Sequence, residues 1–114
     1  MDCIFCKIIN KEIHTDIVYE NDFVIAFNDI HPVAPVHVLI MPKQHIANAN
    51  EITLENSSVL NNIFLAIKEI AKITGVEDTG YRVITNCGSD AGQIVHHLHF
   101  HILGGKSLGP KLMH

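Results

Sequence analysis

His97, His99 and His101 stand at every second position, with Leu98 and Phe100 between them and Ile102-Leu103 after them. Successive side chains of a β-strand point to opposite faces, so alternate ones share a face. The run therefore predicts three imidazoles in a row, about 7 Å from neighbour to neighbour, behind which Leu98, Phe100 and Ile102 form an apolar face. Such a strand is half buried, and Gly104-Gly105 ends it. The fold must cover one sheet face with a core and leave the other as the wall of a pocket. Imidazole titrates near neutral pH and can be nucleophile, proton carrier or metal ligand, so the row marks a candidate reaction centre. The plainer alternatives are a histidine-rich edge strand facing solvent and an adventitious metal site near the end of the chain.

The rest of the chain can be arranged around that strand. Ile4, Phe5, Ile8 and Ile9 are spaced for a short N-terminal helix over residues 3 to 9, with Asp2 as a candidate cap. Ile17 to Glu20 and Phe23 to Asn28 are β-rich runs around a turn at Asn21-Asp22, and Pro32 and Pro35 make a loop of residues 29 to 35. Val36 to Met41 reads as a third strand, closed by Pro42. From about Thr53 to Thr74 the apolar residues Val59, Leu60, Ile63, Phe64, Ile67, Ile70 and Ala71 keep the helical period, and Gly75 stands where a C-terminal cap belongs. Tyr81 to Asn86 gives a fourth strand, Gly88 to Gly92 a turn, and Val95 to Leu103 the fifth strand. Hairpins on either side of one long helix predict a single α+β domain over residues 1–114 with a mainly antiparallel sheet.

Composition narrows the function. At 114 residues and 47% apolar, the chain can bury one core and not two. A formal net charge of −4 with one arginine, Arg82, argues against binding polymeric nucleic acid, which takes clustered cations. No apolar run approaches the roughly 20 residues that span a bilayer, and Met1-Asp2-Cys3 does not open a signal peptide, so a soluble cytoplasmic protein is expected. Cys3-Ile4-Phe5-Cys6 then suggests metal or thiol chemistry before a disulfide, while Cys87 reads as a small buried residue.

The run His97-Leu98-His99-Phe100-His101-Ile102-Leu103 resembles the signature of the histidine triad family. The likeness extends through Phe5-Cys6-Lys7-Ile8-Ile9, Ala26-Phe27-Asn28-Asp29-Ile30, Ala34-Pro35-Val36-His37-Val38-Leu39-Ile40, Lys43-Gln44-His45-Ile46 and Gly80-Tyr81-Arg82. It is strongest to the nucleotide-binding branch that hydrolyses nucleoside phosphoramidates, and Leu108-Gly109-Pro110 resembles the ending of its bacterial members. The resemblance implies a five-stranded antiparallel sheet with one main helix, and a homodimer paired through that helix and the fourth strand. It also implies that His99 attacks the α-phosphorus of a purine nucleotide, giving a nucleotidyl-imidazole that water hydrolyses.

By the same resemblance His101 touches the α-phosphate, with Asn86 and the backbone near Gly92 adding hydrogen bonds. His37 adjoins the triad and orients its protons; its plain alternative is a satisfied core histidine. Asp29 receives the ribose hydroxyls, next to Asn28, and Phe5, Ile8, Phe27 and Ile30 form the slot for the base. Ile94 stands where the family commonly has a serine or another polar residue near the leaving group, a departure that implies slow turnover. Cys3, Cys6, His45 and His97 have the ligand types of a structural tetrahedral zinc. His14, His31 and His114 are expected at the surface. Two other functions stay open at this stage: a zinc-bearing nucleotide-binding scaffold with weak catalysis, and a dinucleoside polyphosphate hydrolase.

Overall fold

The structure is a computed structural model that describes residues 3 to 112. Its elements are α1 (Ile4–Ile9), β1 (Ile17–Glu20), β2 (Val24–Asn28), β3 (Val36–Pro42), α2 (Ser58–Ile73), β4 (Tyr81–Thr85) and β5 (Phe100–Gly104), with 3-10 turns at Ala49–Glu51 and Ser89–Ala91. The five strands form one antiparallel sheet in the order β1-β2-β3-β5-β4. This is the α+β architecture expected from the sequence, with one long helix and a short N-terminal one. Asp2 and His114 lie outside the described residues.

Strand alternation divides the core in two. Val24, Ala26, Val38, Ile40, Phe100 and Ile102 face α2, whose Val59, Ile63, Ala66, Ile67 and Ile70 recur at helical spacing along its buried stripe. Ile63 is fully buried there, and Ile63→Ala would cost about 2–5 kcal/mol through lost transfer energy and a cavity. The opposite faces of β2 and β3 offer Ile25, Phe27, Leu39 and Met41, covered by Phe5 and Ile8 of α1 and by Cys3. Because Leu39 pairs with His101 across the β3–β5 ladder, His101 lies on the α1 side of the sheet.

The ends of α2 show where local chemistry overrides periodicity. The helix starts at Ser58 rather than near Thr53. Thr53 and Asn56 bond reciprocally, Thr53 N to Asn56 Oδ1 at 2.7 Å and Asn56 N to Thr53 Oγ1 at 3.3 Å, which holds this stretch in turns. At the other end Gly75 has φ +78°, Gly75 N donates to the Lys72 carbonyl and Val76 N to that of Ala71, a Schellman closure that suits the expected glycine cap.

The largest departure is β5. It begins at Phe100, not Val95. Before Phe100 the backbone is committed elsewhere: Leu98 N donates to the Ile46 carbonyl at 2.6 Å, Thr85 Oγ1 to the His99 carbonyl at 2.7 Å, and His99 Nδ1 to the His97 carbonyl at 2.7 Å. Only His101 of the three sits in the sheet, so an evenly spaced row is replaced by rings with separate surroundings. Leu98 still packs with Phe100 and Ile102 on the α2 side.

Candidate active site and metal centre

A group able to hold a metal ion grows from the first turn of α1. Cys3 caps that helix, its Sγ accepting from Cys6 N at 3.3 Å, so the two-residue spacing turns both thiols to one side. His45, just after β3, and the fully buried His97 approach from the other side. Cys3 Sγ lies 3.5 Å from His97 Nδ1, Cys6 Sγ lies 3.2 Å from His45 Nδ1 and 3.6 Å from His97 Nδ1, and the two Nδ1 atoms are 3.1 Å apart. All four ligand atoms lie within 4.8 Å of one another, a set able to hold a metal ion. His97 Nε2 donates to the Pro42 carbonyl at 2.8 Å, which leaves Nδ1 of the neutral ring as a lone pair aimed into the cluster. Burial lowers the His97 pKa, against the Pro42 carbonyl, which raises it, and His45 and His99 lower it further. Burial, with Cys3 alongside, pushes the Cys6 thiol up to about 11, so a bound cation has to displace its proton.

A second cluster faces the open side. His37 Nδ1 accepts from Val33 N at 3.1 Å, and a backbone N–H can only donate. The proton of neutral His37 is therefore on Nε2, which lies 2.9 Å from His101 Nδ1 and 3.4 Å from Asp29 Oδ2. His101 Nδ1 accepts in turn, and its Nε2 carries the outward N–H. Asp29, His37 and His101 are close enough together to suit a cation. Yet a metal on His37 Nε2 would move the ring proton to Nδ1, against the Val33 N–H. The geometry suits a fixed proton chain instead. Burial lowers the His37 pKa, partly offset by Asp29, and burial with His99 and His37 lowers that of His101 to about 4. Both rings are neutral at pH 7.

His99 lies between the clusters. Its Nδ1–H is held by the His97 carbonyl, so its Nε2 has a lone pair. Its ring centroid is 5.4 Å from that of His101 and 5.0 Å from that of Phe5, which meets it edge-on at 85°. Phe5 also lies 5.8 Å from Phe27, edge to face. This aromatic contact fixes the His99 ring plane.

The chain as a whole is similar to known proteins. Residues 2–114 match the family described as "Scavenger mRNA decapping enzyme C-term binding". The chain is 44% identical over 113 residues to the purine nucleoside phosphoramidase of Escherichia coli K12, covering 99% of this chain and 95% of that one. It superimposes on a HIT family hydrolase from Clostridium thermocellum with a TM-score of 0.96 at 53% identity, covering 98% of this chain and 97% of that one. A histidine triad protein from Clostridium difficile gives a TM-score of 0.93 at 52% identity, over 97% and 96% of the two chains. The chain belongs to the histidine triad family of hydrolases.

Within this histidine triad fold Phe5, Ile8 and Phe27 come together in one buried cluster, and Asp29 lies beside His37. Asn28 is exposed, its Nδ2 donating to Asp16 Oδ2 at 2.9 Å. Ile30 is 83% exposed and Ile94 87%, so neither is enclosed by the chain. Asn86 is half-buried between β4 and the turn at Ser89–Ala91, and Gly92 closes that turn in the left-handed region at φ +80°. His14 and His31 are exposed, whereas Cys87, expected buried, is half-exposed beside Asn86, because β4 ends at Thr85 and the chain turns outward.

Sequence reasoning missed Gln93. Its buried amide accepts from Gly88 N at 2.9 Å and donates to the carbonyls of Ala47 at 2.8 Å and Val95 at 3.0 Å. It ties the turn near Gly92 to the backbone beside His45 and His97. A glutamine among turn residues carries no pattern that separates it from a solvated one. Val33 N, Pro42 O and the His97 carbonyl, which set the tautomers, are backbone groups and equally silent in sequence.

Proposed function

We propose that this chain hydrolyses purine nucleoside 5′-phosphoramidates, including adenylated lysine, to nucleoside monophosphate and amine through a nucleotidyl-His99 intermediate. The observation that carries the reading is the His99–His97 hydrogen bond. With Nδ1–H held by a carbonyl, Nε2 of the neutral ring carries the lone pair, and the carbonyl stabilises the positive charge that grows on the ring as Nε2 bonds to phosphorus. The phosphorus–nitrogen bond breaks and the amine leaves, taking a proton from water at the open mouth of the site. The outward Nε2–H of His101 donates to a phosphoryl oxygen, held in that tautomer by His37 and Val33 N. Water then attacks the adduct and frees His99. Asp29 takes the ribose hydroxyls, Phe5, Ile8 and Phe27 pack on the base with Ile30 at the rim, and Asn86 and the turn at Gly92 donate to phosphate. The phosphoramidase name of the relative from Escherichia coli supports the reaction class.

The metal-binding group suits zinc. Bonds of about 2.3 Å to sulfur and about 2.05 Å to nitrogen in a tetrahedron put S···N at about 3.6 Å and N···N at about 3.4 Å. The separations of 3.2 to 3.6 Å and 3.1 Å lie near these values. Cys3, Cys6, His45 and His97 would hold the ion, which would fix α1 and the His97 carbonyl, and with it the His99 ring. Pairing through β4 and α2 would make a homodimer. β4 is a sheet edge, Phe64 and Leu65 of α2 are more than half exposed, and buried Arg82 Nη1 has no hydrogen-bond partner among the described residues.

Turnover of adenosine 5′-phosphoramidate against diadenosine polyphosphate, with mass spectrometry of a rapidly quenched reaction, tests the proposal. A mass increase of one nucleotidyl group on the peptide containing His99, with preference for the phosphoramidate, is expected. Preference for the polyphosphate, or hydrolysis with no adduct and full activity of His99→Ala, would overturn it. Sedimentation as a stable monomer at micromolar concentration would overturn the dimer.

A further inference from the structure

We infer that Asp29 competes with His101 for the proton of His37 and that the hydroxyls of a bound ribose end this competition, an inference that rests on the nucleotide-hydrolase reading above and concerns the sugar its site requires. Strand alternation puts Phe27 and Leu39 on the α1 side of the sheet, with Asp29 and His37 two residues from them on the same face, and Leu39 pairs with His101. Asp29 N donates to the His37 carbonyl at 3.0 Å, which carries the β2–β3 ladder one residue past Asn28. Asp29 Oδ1 accepts from His31 N at 2.7 Å, and Oδ2 lies 3.4 Å from His37 Nε2. The Asp29 side chain is 19% exposed, so a ligand can reach the carboxylate from the side away from His37.

Two acceptors face one proton. Val33 N keeps that proton on His37 Nε2, and His101 Nδ1 accepts it at 2.9 Å. A carboxylate is the stronger acceptor, because a hydrogen bond with one charged partner is roughly twice as strong as a neutral one, and Asp29 stands only a few tenths of an ångström outside full bonding reach. When Asp29 takes the proton, His101 Nδ1 has no donor and the ring can carry its own proton there. Nε2 then meets the phosphoryl oxygens as a lone pair, and the outward donor is lost. Ribose hydroxyls that donate to Asp29 satisfy its charge and return the His37 proton to His101. Asp29 is then a positioning residue that acts on His101 through His37. A sugar without these hydroxyls binds and yet reacts slowly, whereas a plain ribose contact would change KM alone.

Single-turnover rates at saturating adenosine 5′-phosphoramidate and its 2′,3′-dideoxy analogue, in the wild type and Asp29→Ala, test the coupling beside nitrogen NMR of the imidazole rings. In the wild type the dideoxy substrate should react about fivefold more slowly even at saturation, the worth of one hydrogen bond. Asp29→Ala, with no competitor for the proton, should react equally fast with both substrates, and faster than the wild type on the dideoxy one, although it binds the ribose substrate more weakly. The His101 Nδ1 signal should move upfield, as an accepting nitrogen does, when AMP binds to the wild type, stay in place with 2′,3′-dideoxy-AMP, and already lie upfield in Asp29→Ala without nucleotide. Equal saturated rates for the two sugars in the wild type, a dideoxy rate that Asp29→Ala fails to raise, or a His101 signal that bound AMP leaves unmoved overturns the coupling and leaves the hydrolase reading standing. If Asp29→Ala does not fold, the wild-type contrast between the two sugars decides alone. The expected shifts with neither phosphoramidate turned over support the coupling and defeat the hydrolase reading. Failure to bind AMP defeats both.

Discussion

Two groups of histidines lie on the same side of the sheet and differ in what surrounds them. His45 and His97 turn Nδ1 toward two thiols and toward each other, and the outer nitrogen of His97 is spent on the Pro42 carbonyl. His37 and His101 turn toward each other through a donor and an acceptor, in an order set by Val33 N. In the first group two Nδ1 atoms and two sulfurs converge on one point, so a cation is the natural occupant. The second group forms a chain with one N–H left pointing outward, so an anion is. The same residue type is thus sorted by single backbone groups into a set able to hold a metal ion and a chain that we propose as the phosphate donor, and His99 belongs to neither. The comparison can be broken at either end.

The largest effect falls on His99. If His99 is the nucleophile, as we propose, His99→Ala should lower kcat at least about 10³-fold because nothing replaces it, while a nucleoside monophosphate still binds through the proposed base and ribose contacts. Turnover assays beside calorimetric titration check this. Loss of binding with chemistry retained would mean that His99 belongs with the anion-binding group after all.

The metal end comes next. Protein purified without added metal should contain one zinc per chain by elemental analysis, and Cys3→Ser should lower Tm by about 10 °C or more while room-temperature activity falls much less. Sub-stoichiometric metal after gentle purification would sink the zinc assignment. Equal losses of Tm and activity would show that the ion acts on the reaction rather than on the position of α1 and the His97 carbonyl.

How far sequence alone reaches can be judged from the same residues. Alternation and helical period identified the core face toward α2, since Leu98, Phe100, Ile102 and the stripe of α2 bury by side-chain period alone, whereas the face expected as a pocket wall is in part a second core under α1. The grouping of Cys3, Cys6, His45 and His97, a set able to hold a metal ion, was legible by type, because few other arrangements use two cysteines and two histidines together. The start of β5 was not legible. It depends on Ile46 and Thr85 capturing the backbone around Leu98 and His99, contacts 52 and 14 residues apart in the chain. Nor were the tautomers, which depend on backbone groups at Val33, Pro42 and His97. Gln93 stayed hidden because its value comes from burial, and a sequence shows its amide without its surroundings.

The acid limb separates the two groups by pH. His101 ordinarily titrates near 6.5, and in the fold burial, then His99 and His37, hold it at about 4. Between these values the unfolded chain binds a proton that the folded chain refuses, so this ring's effect on stability is constant above pH 6.5, grows unfavourable as pH falls, and levels off below about 4. Thermal melts of wild type and His101→Asn should therefore diverge through that window, the variant losing Tm less steeply by several degrees. Acid also strips metal from thiols, but it does so in both proteins, so the difference isolates His101. Parallel curves would show that His101 protonates in the fold as it does in a free chain.

Ile94 gives the smallest effect and the finest test of the anion-binding group. It is 87% exposed on the segment that leads from the turn at Gly92 toward the triad, with no donor to offer a departing amine. Breaking the phosphorus–nitrogen bond requires a proton or a hydrogen bond at nitrogen, and one missing contact raises the barrier by roughly 1 kcal/mol, several-fold in rate. Ile94→Ser should therefore raise kcat/KM for amines that leave poorly and change it little for activated ones, whose nitrogen develops less negative charge. Equal gains for both kinds of amine, or a fall in rate, would mean that the amine already finds its proton elsewhere, from His96 or from the His37–His101 chain. The outward N–H of His101 would then serve the leaving group and not the phosphate alone, and the order Val33, His37, His101 would be a proton path rather than a fixed donor.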